Sequence, residues 1–299
     1  MSSDTEDVNE EPRCASCGIT QGNDIELMKC TDCHLVRYCS DECQELHRLE
    51  HEETCKQRAA ELRDELLFKQ PESTHLGDCP ICCLPLSIDT KKSIAYDCCS
   101  KSLCNGCAVA NWTYEMRREN FLCPFCRLPA PETEEERDKR RMKRIEKNDP
   151  VAICQEGMIQ YKKGEYIKAF EYYTKAAALG NVEAHYRLSI LYHLGHGVEK
   201  DEEKEIFHLE EAAIVGHPFA RYVLGWHEYN NGNPDRAVKH FIIAAAQGED
   251  GSIKTLMEAF KEGIVEKDDL ASALRAHQAA VDTMKSPQRM AAEESCKFR

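Results

Sequence analysis

Small and apolar residues recur in fixed blocks through the second half of the chain. Ala176-Ala177-Ala178-Leu179-Gly180, Ala212-Ala213-Ile214-Val215-Gly216 and Ala244-Ala245-Ala246-Gln247-Gly248 stand 36 and then 32 residues apart. The first two lead into Ala184-His185-Tyr186-Arg187-Leu188 and Ala220-Arg221-Tyr222-Val223-Leu224. Small residues at fixed places let helices approach closely, and a glycine closing each block suits a left-handed helix end. Asp149-Pro150 and Asn233-Pro234 place proline in a first helical turn. The pattern predicts three clear helix pairs and a degenerate fourth from Gly251 to Lys285, over residues 149–285. The difference in period falls in Gly195 to Asp201, read as a longer inter-helix loop. Gly195-x-Gly197 lacks the third glycine and the preceding strand of a nucleotide fingerprint, so it reads as part of that loop. One pair cannot bury its apolar face alone, so the stack shares a continuous core. Tyr161, Tyr166, Tyr172 and Tyr173 are assigned to that core rather than to a binding groove, and Cys154 to a buried helix position. Residues 286–299, which include Cys296, form a loose C-terminal end.

The first half has a different texture. From Gln44 to Lys69 the chain is charged and helical, with Leu62, Leu66 and Leu67 at apolar spacing, and Gln70-Pro71 ends the helix. Residues 57–76 are a helical spacer. A second charged helix occupies the linker 129–148: Thr133 caps it, Glu134-Glu135-Glu136 open it, and Lys139-Arg140-Arg141-Met142-Lys143-Arg144 follow. That basic run reads as a solvated, salt-bridged helix face in preference to a nuclear localisation signal. Residues 1–12 carry Asp4, Glu6, Asp7, Glu10 and Glu11 and are expected to be a disordered tail.

Composition narrows the class. A net charge of -14 disfavours a broad surface for nucleic acid. No apolar leader opens the chain and no run reaches the eighteen apolar residues of a membrane helix. The chain has eighteen cysteines, mostly in Cys-x2-Cys pairs, and only Cys154 and Cys296 follow Cys126. That distribution fits zinc in a reducing compartment, so the expected setting is intracellular, cytoplasmic or nuclear, with no membrane. The expected fold class is mainly α: two small zinc-stabilised fingers followed by an α-solenoid of helix-pair repeats. The repeats resemble SEL-one-like repeats, relatives of the tetratricopeptide class, which implies a surface for a protein ligand.

Residues 13–56 carry Cys14-x2-Cys17, Cys30-x2-Cys33, Cys39-x3-Cys43 and His51-x3-Cys55. Three-residue gaps put two ligands one helical turn apart on the same face. Eight ligands make two closed, structural zinc sites, and so short a segment needs metal to fold. The order, down to Tyr38-Cys39-Ser40-Asp41-Glu42-Cys43-Gln44, resembles the MYND zinc finger. The resemblance implies interleaved sites, Cys14, Cys17, Cys39 and Cys43 on one zinc and Cys30, Cys33, His51 and Cys55 on the other. It also implies a peptide partner, often proline-rich. His47 competes with His51 but reads as a solvated helix position. Methyltransferase domains that accompany such fingers in some families have no counterpart here.

Residues 77–128 open with Cys79-Pro80-Ile81-Cys82 and close with Cys123-Pro124-Phe125-Cys126-Arg127. Cys79, Cys82, Cys104 and Cys107 form one site; Cys123 and Cys126 form half of another. The pattern resembles a RING finger with interleaved zincs, in which a cysteine and a histidine usually complete the second site. Lys101 falls where the histidine is expected if Cys99 is the third ligand, so Cys98 and Cys99 are preferred as third and fourth ligands. The alternative leaves Cys98 packed in the interior and water or Cys83 completing the site. In RING ubiquitin ligases an apolar residue of the first loop, a helix residue, a late proline and a final basic residue contact the ubiquitin-conjugating enzyme. Ile81, Trp112, Pro124 and Arg127 match those positions, and the resemblance implies catalysis by positioning, with no covalent intermediate. The leading expectation is therefore a four-zinc protein, two ions per finger, acting as a ubiquitin ligase that recruits a conjugating enzyme. Its repeats and first finger would bind substrate or partners. The alternative is a non-enzymatic scaffold.

Overall fold

A computed structural model describes residues 12–22, 25–116 and 122–296. Residues 1–11 of the expected acidic tail lie outside the described residues. The chain divides into two compact units, Met1–Lys69 and Gln70–Arg299.

In the first unit a two-residue hairpin, β1 (Met28–Lys29) antiparallel to β2 (Arg37–Tyr38), leads into α1 (Asp41–Leu67). The Ser40 hydroxyl accepts the Cys43 N–H at 3.3 Å, capping α1, and Asp41 and Glu42 complement its dipole. The buried apolar cluster is Cys14, Leu27, Cys30, Cys33 and Tyr38, so most of what this finger buries is cysteine. Over its 27 residues α1 buries only His51 and Leu67. The helix crosses the expected finger–spacer boundary at residue 56 without a break.

The second unit begins with a finger built from β3 (Ser93–Ala95) antiparallel to β4 (Ser102–Cys104), followed by α2 (Asn105–Met116). Its core is Cys79, Leu86, Leu103, Cys104, Cys107 and Ala108. Then comes α3 (Glu134–Ile145), capped by Thr133, whose hydroxyl accepts the Glu136 N–H at 3.2 Å. Four helix pairs follow: α4 (Pro150–Lys162) with α5 (Tyr166–Ala178), and α6 (Val182–Leu194) with α7 (Glu202–Ile214). The others are α8 (Pro218–Asn230) with α9 (Pro234–Ala246), and α10 (Asp250–Lys261) with α11 (Lys267–Thr283). Close approach within pairs rests on glycine: a Cβ at Gly157 would sit 2.7 Å from Tyr173, and one at Gly225 would sit 2.5 Å from Phe241. Tyr173 is fully buried in the core and Tyr161 and Tyr172 pack against it, while Tyr166 stacks on His196 at 4.1 Å between ring centres. Cys154 is buried, and burial pushes its thiol up to about 12.

Three segments differ from the sequence expectations, each because of contacts distant in the chain. The basic run of α3 is only partly solvated: Lys139 and Lys143 are exposed. Arg141 and Arg144 are buried; Arg141 Nε donates to Glu156 at 2.8 Å, and Arg144 donates to Asp149 and to the Asp97 carbonyl. The end of the spacer lies along the repeats. His75 N–H donates to the Gly216 carbonyl at 3.0 Å, and Gly216, at φ +91°, comes so close to the Ser73 carbonyl that a Cβ would lie 2.5 Å from it. The C-terminal end is not loose through 296: α12 (Pro287–Cys296) packs on α2. The second unit thus closes on itself, with its finger touching helices from both the beginning and the end of the repeats. Among the described residues no helix is long and apolar enough to cross a membrane.

Candidate metal centres

Four turns of one design present the cysteines. In each, the residue four positions after the first cysteine donates its N–H to that cysteine's carbonyl: Gly18 to Cys14, His34 to Cys30, Cys83 to Cys79 and Arg127 to Cys123. All four residues have positive φ, at 75°, 58°, 53° and 58°. The turn curls back on itself and points the two sulfurs of each pair the same way. Cys83 therefore holds a backbone position in the turn and is exposed, which accounts for it without ligation.

The turns and helices bring sixteen side chains into four clusters. They are Cys14, Cys17, Cys39, Cys43; Cys30, Cys33, His51, Cys55; Cys79, Cys82, Cys104, Cys107; and Cys98, Cys99, Cys123, Cys126. Within each, all ligand atoms lie within 4.8 Å of one another. Sulfur–sulfur distances are 3.5 Å for Cys17–Cys39 and Cys39–Cys43, 3.7 Å for Cys30–Cys55, and 3.8 Å for Cys82–Cys104 and Cys99–Cys123. A disulfide needs about 2.05 Å. Tetrahedral zinc with bonds of about 2.3 Å separates its sulfurs by about 3.8 Å. The spacing is that of a shared ion.

Protonation chemistry agrees. Burial alone would raise the Cys14 thiol, but backbone N–H groups of Cys17, Cys39 and Ser16 outweigh it and bring it down to about 6. Cys79 is likewise opposed by burial and lowered to about 6 by the N–H groups of Cys82, Cys104 and Ile81. Their neighbours are driven the other way. Hydrogen bonds with Cys17 and Cys43 push Cys39 up to about 12; burial and the adjacent Cys30 and Cys33 push Cys55 up to about 12. Cys98 and Cys107 are raised by burial and by neighbouring cysteines. Without a cation, packed thiols cannot all ionise; a dication removes that repulsion.

His51 is set for ligation. The Thr54 hydroxyl donates to the His51 carbonyl at 3.0 Å, so its oxygen accepts from His51 Nδ1–H at 3.1 Å. That leaves Nε2, 3.1 Å from Cys33 Sγ, with its lone pair free for metal. His47 is less solvated than expected: it hydrogen-bonds Tyr38 at 3.1 Å and stacks on His51. In the second finger the adjacent Cys98 and Cys99 lie in one tight turn, in which the Cys99 and Ser100 N–H groups both donate to the Tyr96 carbonyl, at 3.2 and 3.0 Å, and Ser100 has φ +58°. Lys101 lies over the Phe125 ring, 4.9 Å from its centre.

A fifth group, His75, Glu183 and His217, also falls within 4.8 Å. Its chemistry is not a metal site. His217 Nδ1 accepts the Ala220 N–H at 3.1 Å, so in the neutral ring Nε2 carries the proton and donates it to Glu183 at 3.2 Å. The His75 and His217 rings stack at 4.2 Å with 18° between planes, so their in-plane lone pairs do not converge on one ion.

Of the four positions expected to meet a conjugating enzyme, the cavity beside Trp112 gathers none of the other three. Ile81 is 49% exposed. Trp112 lines a cavity of about 460 Å³ with Tyr96, Leu122 and Pro129 to Pro131, and neither Ile81 nor Pro124 is part of its wall. Arg127 pairs with Glu115 at 3.2 Å, whose carboxylate is buried and whose second oxygen has no partner among the described residues.

Comparison with known proteins agrees with two of the three modules. The MYND finger family matches residues 14–55, and the Sel1 repeat family matches 154–181, 182–217 and 218–249. No curated protein matches. Among solved structures, a Sel1 repeat protein from Oxalobacter formigenes is 25% identical over 50% of this chain and 65% of its own, with a TM-score of 0.45. Another is c5321, a protective antigen of uropathogenic Escherichia coli strains that displays an SLR fold. It is 24% identical over 55% of this chain and 36% of its own, at a TM-score of 0.40. The chain spans less than two thirds of either.

Proposed function

We propose that this chain is a zinc-built adaptor for protein partners, with four zinc ions, two in each finger. One partner docks on the repeats, another on the second finger, and the first finger takes a peptide. The observation that carries this reading is the continuity of the second unit. Ser100 in the ligand-bearing turn donates to the Asp149 carboxylate at 2.8 Å, and Asp149 in turn caps the first repeat helix through Val151 N–H at 3.0 Å. A finger fixed to repeats in this way holds two bound proteins in one relative orientation, which is what an adaptor contributes.

A second reading gives the adaptor a reaction. Ligand pairs alternate between the two clusters of the second finger, as in RING fingers, and Ile81 stands exposed on the first turn. Both features favour docking of a ubiquitin-conjugating enzyme. Against it, Arg127 already commits its Nη1 to the buried Glu115 carboxylate, which ties the guanidinium back to α2. Autoubiquitination by the zinc-loaded full chain, with a panel of conjugating enzymes, separates the readings. The adaptor reading expects no ubiquitin chains and no difference for Ile81→Ala, which trims an exposed side chain and keeps the backbone N–H that faces Cys79. Chain formation abolished by Ile81→Ala would establish the ligase instead.

A further inference from the structure

The cluster of Cys79, Cys82, Cys104 and Cys107 has a feature that its finger does not supply. Arg289, from α12 at the far end of the unit, is buried against it. Its Nη2 donates to Cys82 Sγ at 3.4 Å and to the Leu84 carbonyl at 3.0 Å. Its Nη1 donates to the Pro85 carbonyl at 2.7 Å and to the Met284 carbonyl at 2.8 Å. One guanidinium thus joins the ligand turn to the end of α11. The seating is close: a Cβ on Gly106, between ligands Cys104 and Cys107, would lie 2.9 Å from the Arg289 backbone nitrogen. Lys92 and Glu293 pair at 3.1 Å beside it.

Charge explains why a guanidinium belongs there. Zinc with four thiolates carries a net charge of about -2, and a buried dianion requires donors around its sulfurs. Arginine supplies a fixed positive fork that can reach sulfur and carbonyl oxygens together, which the single ammonium of lysine does not.

We propose that Arg289 is a positioning residue of this zinc site, so that α12 is a structural part of the second finger and its docking is coupled to metal retention. The proposal rests on the reading that the cluster holds zinc. It is tested on the full-length chain by counting bound zinc and then following its release to a chromogenic chelator. In Arg289→Gln, one zinc equivalent is expected to leave about tenfold faster than in the wild type, with Arg289→Lys intermediate. In cobalt-substituted protein, loss of the N–H···S bond in Arg289→Gln is expected to move the thiolate-to-metal charge-transfer band to lower energy. A loss of fold alone would not produce that shift at unchanged metal content, and Arg289→Lys keeps the charge should Arg289→Gln fold poorly. Release rates and cobalt spectra that are the same in wild type and Arg289→Gln would overturn the proposal. A wild-type count showing no zinc in this cluster would overturn the zinc reading, and the proposal with it.

Discussion

On removal of zinc from the full chain by a strong chelator, the amides of α1 are expected to lose their protection from hydrogen exchange, while those of α4 to α9 keep theirs. The reason lies in what each part buries. Over 27 residues α1 shelters only His51 and Leu67, and His51 is itself one of the proposed zinc ligands. The apolar cluster beneath it is largely cysteine, so on the proposed reading its packing depends on the sulfurs sharing an ion. The repeats bury Ala152, Ile153, Tyr173, Ala176, Leu188 and Leu191 in one cluster with no metal ligand among them. Exchange followed by mass spectrometry, peptide by peptide, checks this. Protection of α1 that survives complete zinc removal would mean that the first finger folds on its own core.

Arg141→Met is expected to destabilise the second unit by about 3 kcal/mol, because it strands Glu156 in the interior. Side-chain exposure in that ion pair is 6% for Arg141 and 8% for Glu156, at 2.8 Å, so neither charge has water as a substitute partner. The Gln160 amide would still reach Glu156, which keeps the loss near the lower end of the range for a broken buried pair. Adding Glu156→Leu to Arg141→Met should recover most of the loss, since an apolar pair removes the stranded charge. Thermal or denaturant unfolding of the single and double variants measures the coupling, and additive losses would show that the two residues act independently.

The chain discloses its ligands more readily than its architecture. Cys-x2-Cys and Cys-x3-Cys spacing identifies metal chemistry because ligand pairs are local, and the Ala-Ala-x-x-Gly blocks identify helix pairs because each closes its own helix. What stayed hidden depends on partners far along the chain. Arg141, Arg144 and Arg289 look like solvated basic residues until Glu156, the Asp97 carbonyl and the Cys82 turn are placed beside them. Residues 286–296 have few strongly apolar side chains and read as a loose end, yet Arg289 holds them through hydrogen bonds. Cys83 and Arg127 were obscured differently. Their side chains suggested a spare ligand and a partner contact, while both also fill the left-handed position of a metal turn, as Gly18 does. Of the four turns, that of Gly18 alone carries a sequence signal for the position, since His34, Cys83 and Arg127 do not announce a left-handed backbone.

The measurement that bears most directly on the whole account is the zinc content of the purified chain, alongside that of a Cys99→Ala variant. Four zinc ions per wild-type chain, falling to three in the variant, is the expected result. Two ions in both, all held by the first finger, would contradict it.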